Sequence, residues 1–285
     1  MPEQKNEMPK SNGSGRSFGP GNRKMGGGEK AKDFSGSLKK LFAYCGRYLP
    51  AIVFAMVLAV TGSILNLIGP GKVADMVRKY TDNPIPADLV ELLNARIAEN
   101  NAAHGLNLKL VIGNSDGIGG MAKMLLTKTV HSYIVLAGKE CSDLDEKLGY
   151  CGADLCLYAQ TLGLNTWWVG GMFNSKGAMK HLETKDVRIN GVIAIGYGQT
   201  QGVQHKSKTA AEISQYNGTA PQWFVDGVDA LLYAPTALNK QPYMVKGDGR
   251  KVTITAGEGH FSGIDLGIGK YHFEVGAGKE NFDWA

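Results

Sequence analysis

The sequence lacks the patterns that mark several common functional sites. It contains no GxxxxGK[ST] loop, which binds nucleotide phosphates, and no GxGxxG dinucleotide-binding turn. Its four cysteines form no CxxC pair and show no regular disulfide spacing, which favours reduced thiols in a cytoplasmic protein. Its six histidines never stand at ligand spacing with a cysteine or a carboxylate, so we expect no metal site.

Excess positive charge is absent from most of the chain. The formal charge of the whole chain is +5, but residues 1–48 alone hold ten basic and four acidic side chains. The remaining 237 residues hold 21 basic and 22 acidic side chains, a net charge of −1. A surface that follows a phosphate backbone needs clustered cations, so we expect no nucleic-acid partner for the main domain.

The first 72 residues differ in composition from the rest. Residues 1–33 are rich in glycine and small polar residues and cannot bury enough apolar area to fold, so we predict a disordered tail. Residues 34–72 begin amphipathic and basic and then become apolar. The uncharged run at 49–68 is long enough to cross a bilayer as a helix, which makes it a candidate transmembrane segment and membrane anchor. Because Pro50, Gly62 and Asn66 interrupt it, a buried or interfacial helix is the alternative.

The segment from Met25 to Lys39, followed by a basic helix and the apolar run, resembles the start of an ABC-type multidrug exporter. The resemblance covers about 70 residues and ends where the first membrane helix of such a transporter would end. Since no nucleotide-phosphate loop follows, we do not extend the transport function to this chain.

From residue 77 to residue 285 the pattern predicts one α+β domain. Pro86 begins a helix that Gly105 ends, and apolar spacing predicts a long helix over Leu144–Leu162. Later in the chain we predict a helix around 223–232, a hairpin turned at 247–249 and a last helix from about 264 to 273. Strands are predicted over 106–112, 132–137, 166–169 and 191–195. Mixed helices and strands favour an α+β fold around a central sheet.

Five ordered blocks of this domain resemble the nitroreductase superfamily, and a compact subfamily of it in particular. The blocks are Val77–Asp82 with Pro84–Pro86, Tyr150 with Gly152 and Leu157–Gly171, Gly196–Tyr197 with Lys206–Lys208, Ala234–Pro242, and Asp265–Gly267 with Tyr271–Phe273. The resemblance implies a nitroreductase-like fold with a central mixed sheet flanked by helices. It also implies an FMN-dependent oxidoreductase that transfers hydride from NADH or NADPH to nitroaromatic, quinone or related small-molecule acceptors, with a homodimer as a candidate assembly.

The resemblance places polar cofactor ligands in two blocks. Asn239 and Gln241 offer donors and acceptors to the flavin or its ribityl hydroxyls, although an ordinary turn is the alternative. Lys206, Ser207 and Lys208 offer two cations and a hydroxyl to the FMN phosphate, although a solvated basic loop is the alternative. Neither segment is specific without the other blocks.

Two further features would act on the flavin ring. Gly170 and Gly171 follow a predicted strand and permit close backbone approach to the ring, although glycine pairs are common in loops. Arg78 would place a cation near the pyrimidine end of the ring and stabilise the reduced flavin, although an exposed arginine is the alternative. Because the flavin carries out hydride transfer itself, we predict no catalytic side chain.

The chain departs from the family pattern at the start of the domain. Where the family has Arg-Arg-Ser, this sequence has Ala74, Asp75 and Met76, so a phosphate clamp is missing and an acid replaces it. Each charge-assisted contact contributes about 1.5 to 3 kcal/mol, so we expect weaker FMN binding. The alternative to an active enzyme is therefore a membrane-tethered or transporter-derived fusion with a weakened flavin-binding module.

Overall fold

A computed structural model describes residues 80–125, 129–199 and 206–285. The predicted tail at 1–33, the apolar segment within 34–72, the exporter-like segment, the altered clamp at 74–76 and Arg78 lie outside the described residues. Those assignments therefore stay predictions. Within the described ranges, no helix is both long and apolar enough to cross a membrane.

Helices and strands alternate along the described part of the chain. The helices are α1 (Ala87–His104), α2 (Gly120–Leu125), α3 (Leu144–Thr161), α4 (Ser175–Met179), α5 (Ala210–Ile213), α6 (Gln222–Leu231) and α7 (Ser262–Ala277). The strands are β1 (Lys109–Val111), β2 (Tyr133–Gly138), β3 (Asn165–Val169), β4 (Arg188–Gly196), β5 (Ser214–Tyr216), β6 (Tyr243–Asp248), β7 (Lys251–Ala256) and β8 (Asp283–Trp284). Short 3-10 turns lie at Ala237–Asn239 and Lys279–Asn281.

Local signals in the sequence account for the longest elements. Helix α1 begins directly after Pro86 and ends at Gly105, whose left-handed conformation lets its N–H reach the Asn101 carbonyl. Helix α3 ends at Thr161, Leu162 caps it, and Gly163 follows with φ +76°. The predicted hairpin is confirmed as β6 and β7, which run antiparallel from Tyr243 to Ala256. Two predicted boundaries shift, because β1 covers three residues of the predicted 106–112 and α7 extends to Ala277.

The first sheet has the strand order β1-β2-β4-β3, with every pair antiparallel. All six residues of β2 are buried, because apolar clusters cover both faces of the sheet. Alternate residues of β3 point to opposite faces, so Trp168 packs on the cluster that contains α3 and Trp167 packs on the other. The predicted strands at 132–137, 166–169 and 191–195 are thereby confirmed.

A second sheet has the order β5-β6-β7-β8 and contains both parallel and antiparallel pairs. The prediction of one central mixed sheet is therefore wrong, because the strands divide into an antiparallel sheet and a separate mixed one. Very short strands such as β5 and β8, with three and two residues, carry too little pattern to be recognised in a sequence. The mixed α+β class itself is confirmed.

Helices α3 and α7 pack backbone to backbone at the centre of the domain. A side chain at Gly267 would overlap the carbonyl oxygen of Glu146, and one at Gly149 would overlap that of Ile264. Glycine is required at both positions because the helices approach so closely. This crossing fixes the first turns of α7 relative to the first sheet, and those turns form one wall of the cavity described below.

Candidate functional site

A cavity of about 310 Å³ lies where the end of β3, the loop after α6 and the start of α7 meet. Its volume is at the lower end of the range for small-molecule sites. Most of the wall is apolar or aromatic. Its lining residues are Trp167, Trp168, Val169, Gly170, Gly171, Met172, Pro235, Thr236, Ala237, Leu238, Phe261, Ile264, Asp265 and Ile268.

The predicted glycine pair forms part of the cavity wall. Gly170 leaves β3 beside Phe261, and a side-chain carbon there would lie 3.2 Å from that ring. Gly171 has open space at the same position, since no heavy atom lies within 4 Å of the point that a side-chain carbon would occupy. The backbone at Gly171 is therefore accessible to a ligand in the cavity, as a flat ring would require.

The loop from Pro235 to Pro242 is conformationally strained. Leu238, Asn239 and Gln241 have φ angles of +55°, +53° and +43°, and they are three of the four non-glycine residues with positive φ in the described ranges. Such conformations cost on the order of 1 to 3 kcal/mol each and persist only where surrounding contacts hold them. Leu238 lines the cavity and yet is 79% exposed. The strain therefore holds an apolar side chain at the cavity mouth.

Gln241 holds this loop in place through its side chain. Its amide oxygen accepts a hydrogen bond from the Lys208 N–H at 2.7 Å, and its amide nitrogen donates to the Leu232 carbonyl at 2.7 Å. Its own N–H donates to the Thr236 hydroxyl at 2.9 Å. The residue is 1% exposed. Both polar ends of the side chain are thus bonded within the protein, where they hold the loop. Gln241 does not line the cavity, and its predicted contact with the flavin stays a prediction.

The basic segment 206–208 lies against the same loop, and none of its three residues lines the cavity. Asn239 donates from its amide to the Lys206 carbonyl at 2.9 Å, and the Ser207 hydroxyl donates to the Leu232 carbonyl at 2.9 Å. The Lys208 ammonium donates to the Gln241 carbonyl at 2.9 Å. The structure therefore brings together Lys206, Ser207, Lys208, Asn239 and Gln241, while Gly170 and Gly171 line the cavity.

Asp265 is the ionisable side chain among the cavity-lining residues. It is 5% exposed and accepts a hydrogen bond from the Ala237 N–H at 3.0 Å, which links α7 to the strained loop. Burial raises the pKa of its carboxyl above the ordinary value, while the Ala237 hydrogen bond and the charge of Lys240 oppose that rise. A buried carboxylate with one such hydrogen bond, facing a cavity, is typical of a functional site.

The first and third blocks of the predicted pattern also meet. Tyr80 pairs with Gly198 in a β-bridge, and the Thr81 N–H donates to the Tyr197 carbonyl at 2.7 Å. The ring of Tyr80 lies 3.0 Å from the position that a side-chain carbon at Gly196 would occupy, which explains why glycine is needed there. Arg78 precedes Tyr80 in the sequence, and its predicted contact with the flavin ring stays a prediction.

Sequence reasoning missed several residues of the cavity. It gives Phe261 no role, and it places Leu238 and Asp265 within motif blocks without assigning either of them a role in the site. Asp265 had a recognisable signal, because it is an acid between Ile264 and Leu266 on an apolar helix face. The signal for Leu238 was absent, since its importance comes from a backbone conformation that the sequence does not specify.

Comparison with known proteins gives the family. The family model described as "Putative TM nitroreductase" matches residues 72–277. A solved structure described as a "putative nitroreductase" from Thermotoga maritima is 19% identical, with a TM-score of 0.53, over 72% of this chain and 80% of that one. The likeness to the Thermotoga structure supports the fold described above.

More distant structures share smaller parts of the chain. An FMN-dependent nitroreductase from Clostridium difficile is 16% identical, with a TM-score of 0.37, over 48% of this chain and 89% of that one. A protein from Parabacteroides distasonis titled NADH dehydrogenase/NAD(P)H nitroreductase is 18% identical, with a TM-score of 0.38, over 50% and 93%. No curated protein sequence matches the chain. Because the family model spans more than half of the sequence, the chain belongs to the "Putative TM nitroreductase" family.

Proposed function

We propose that the domain is an FMN-dependent oxidoreductase that passes hydride from NADH or NADPH, through the flavin, to nitroaromatic, quinone or related small-molecule acceptors. The observation that carries the proposal is the meeting of two distant blocks, Gly170–Gly171 and Pro235–Leu238, in one cavity with aromatic walls. Family membership supports the same function. The cavity's size and apolar lining fit a planar ring system.

The residues present fit a bound flavin nucleotide in two regions. The accessible backbone at Gly171 and the rings of Trp167, Trp168 and Phe261 would hold the ring system. Lys206 and Ser207, which lie beside the strained loop, would meet the phosphate, because cations and hydroxyls are suited to phosphate oxygens. Bound FMN supplies the acceptance and donation of hydride.

The protein's own groups position and enclose the reactants. Asn239, Gln241 and Lys208 hold the 235–242 loop in its strained conformation, so their contribution is to fix the cavity mouth. Apolar walls exclude water from the cavity and strengthen the electrostatic interactions inside it. We propose cytoplasmic activity on a small-molecule acceptor, and a homodimer is the assembly to be tested.

The proposal is tested on the full chain by titrating flavin-free protein with FMN and following flavin fluorescence. We expect saturable binding, followed by NADH or NADPH oxidation that depends on a nitroaromatic or quinone acceptor. Lys206→Ala should weaken FMN binding by about tenfold through loss of a charge-assisted contact. Lys246→Ala, an exposed lysine on β6, is the control and should leave it unchanged. Absence of flavin binding in the parent protein would refute the proposal.

A further inference from the structure

The described residues that line the cavity include one acidic side chain and no basic side chain. Among the described lining residues there is no lysine, arginine or histidine, and Asp265 is the one with an ionisable carboxyl. Lys240 influences Asp265 electrostatically but is exposed and does not line the cavity. Thr236 adds a hydroxyl, which already accepts the Gln241 N–H. A ligand in this cavity therefore meets one carboxyl within an apolar and aromatic wall.

A second buried aspartate shows what a structural carboxylate looks like in this fold. Asp154 on α3 accepts two hydrogen bonds from the Arg96 guanidinium, at 2.8 and 2.6 Å. It also accepts one from the Asn100 amide and one from the Tyr271 hydroxyl, both at 2.7 Å. Burial acts to raise the pKa of Asp154, but these partners outweigh it and lower the pKa. Its charge is fully used within the protein.

Asp265 is different, because its structural bond does not need a charge. The bond that the described residues give its carboxyl comes from the backbone N–H of Ala237, and a neutral amide oxygen could accept it equally well. The Tyr243 hydroxyl, which interacts electrostatically with Asp265, is buried and has no hydrogen-bond partner among the described residues. Asp265 therefore forms no ion pair among the described residues, although the exposed Lys240 interacts with it electrostatically, and it lines the cavity.

We propose that Asp265 makes the site selective by charge, so that it accepts neutral and cationic aromatic acceptors and discriminates against anionic ones. This inference rests on the proposed function, because it concerns the acceptor that enters the same cavity. An anionic group beside the carboxylate would be repelled in a medium that screens poorly, whereas a cationic group would be attracted. The apolar wall supplies affinity for the aromatic ring of the acceptor and does not distinguish neutral, cationic and anionic acceptors.

The test compares three nitroaromatic acceptors of similar size with the full, FMN-loaded chain: 4-nitrobenzoate, its methyl ester and (4-nitrobenzyl)trimethylammonium. We expect kcat/KM for the anionic acceptor to be lower than for the other two by about tenfold or more. Asp265→Asn should remove most of that difference in kcat/KM, while Asp265→Glu should keep the order of the three acceptors. Glu258→Gln changes the net charge equally at an exposed position outside the cavity lining, so it is the control and should leave the order unchanged.

Binding of unreactive probes gives a readout that does not depend on turnover. Benzoate, benzamide and benzylammonium should bind the FMN-loaded chain in the order expected from their charge, and the change in flavin fluorescence on titration reports their binding. If FMN binds but the parent protein treats the three acceptors alike, the selectivity is refuted while the proposed function stands. If Asp265→Asn changes the flavin reduction potential and leaves the acceptor order intact, the carboxylate faces the cofactor and the inference is wrong.

Discussion

Replacing Gly267 with alanine would place a methyl group between two helices that pack backbone to backbone. The added carbon would overlap the Glu146 carbonyl oxygen and lie 2.6 Å from the Tyr150 nitrogen. Both are backbone atoms of α3 and cannot rotate away, so the helices must separate. Overpacking of this kind costs about 3 kcal/mol at the upper end of its usual range. Alanine recovers about 1 kcal/mol of helix propensity relative to glycine.

The net expectation is a loss of about 2 kcal/mol in the free energy of unfolding. For a domain of this size that lowers the melting temperature by about 4 to 8 °C, which circular dichroism measures directly. Gly120→Ala is the control, because Gly120 lies in a helix and has open space around the new carbon. It should change the free energy of unfolding by less than about 0.5 kcal/mol.

The same substitution should affect the site, because Gly267 lies between Ile264 and Ile268, which line the cavity on α7. Movement of α7 away from α3 displaces that wall, so the affinity for FMN should fall together with stability. A Gly267→Ala protein that is as stable as the parent would show that the helices are not in the close contact described, and the packing argument would then be refuted.

Three other predictions concern the buried acids and the strained loop. Asp265→Asn should raise the free energy of unfolding at neutral pH, which urea denaturation measures. The folded-state pKa of Asp265 is raised, so the parent protein loses stability as pH rises above the unfolded-state pKa of this carboxyl. The gain from the substitution should therefore shrink toward acid pH. Asp154→Asn should instead lower the free energy of unfolding by about 2 to 3 kcal/mol. This is less than for a fully buried ion pair, because the Arg96 side chain is 40% exposed. The loss should diminish as pH falls through the lowered pKa of Asp154. Leu238→Gly relieves a left-handed conformation at an exposed side chain, so the free energy of unfolding should change by less than about 1 kcal/mol. The dissociation constant for FMN should rise about tenfold, and an unchanged FMN affinity would remove Leu238 from the site.

The long elements could be predicted from the sequence because their signals are local. Pro86 and Gly105 mark the two ends of α1, and the apolar spacing over Leu144–Leu162 defines α3. The division into two sheets could not be predicted, since strand pairing depends on contacts between distant residues. The register of β5 against β6, for example, joins Ser214 to Val245 and has no counterpart in local periodicity.

The site was predictable in part for the same reason. The motif blocks identified Gly170, Gly171 and the 235–242 loop, and the structure brings them to one cavity. Their motif does not distinguish a residue that contacts a ligand from one that holds the loop. The side-chain amide of Gln241 is bonded on both ends within the protein, and its predicted contact with the cofactor stays a prediction. That distinction depends on which way a side chain points after folding.

Several departures from the local rules of folding cluster near this cavity, and the clustering supports a functional role for it. Three residues of the 235–242 loop adopt conformations that non-glycine residues avoid, and Leu238 is exposed where an apolar side chain gains nothing from the fold. Asp265 is buried with a charge that destabilises the folded state, although Asp154 shows that the same fold can satisfy such a group completely. Each departure costs stability, and a protein retains such costs where binding or chemistry requires them. Leu238 and Asp265 both line the cavity, so we expect a ligand bound there to provide compensating interactions.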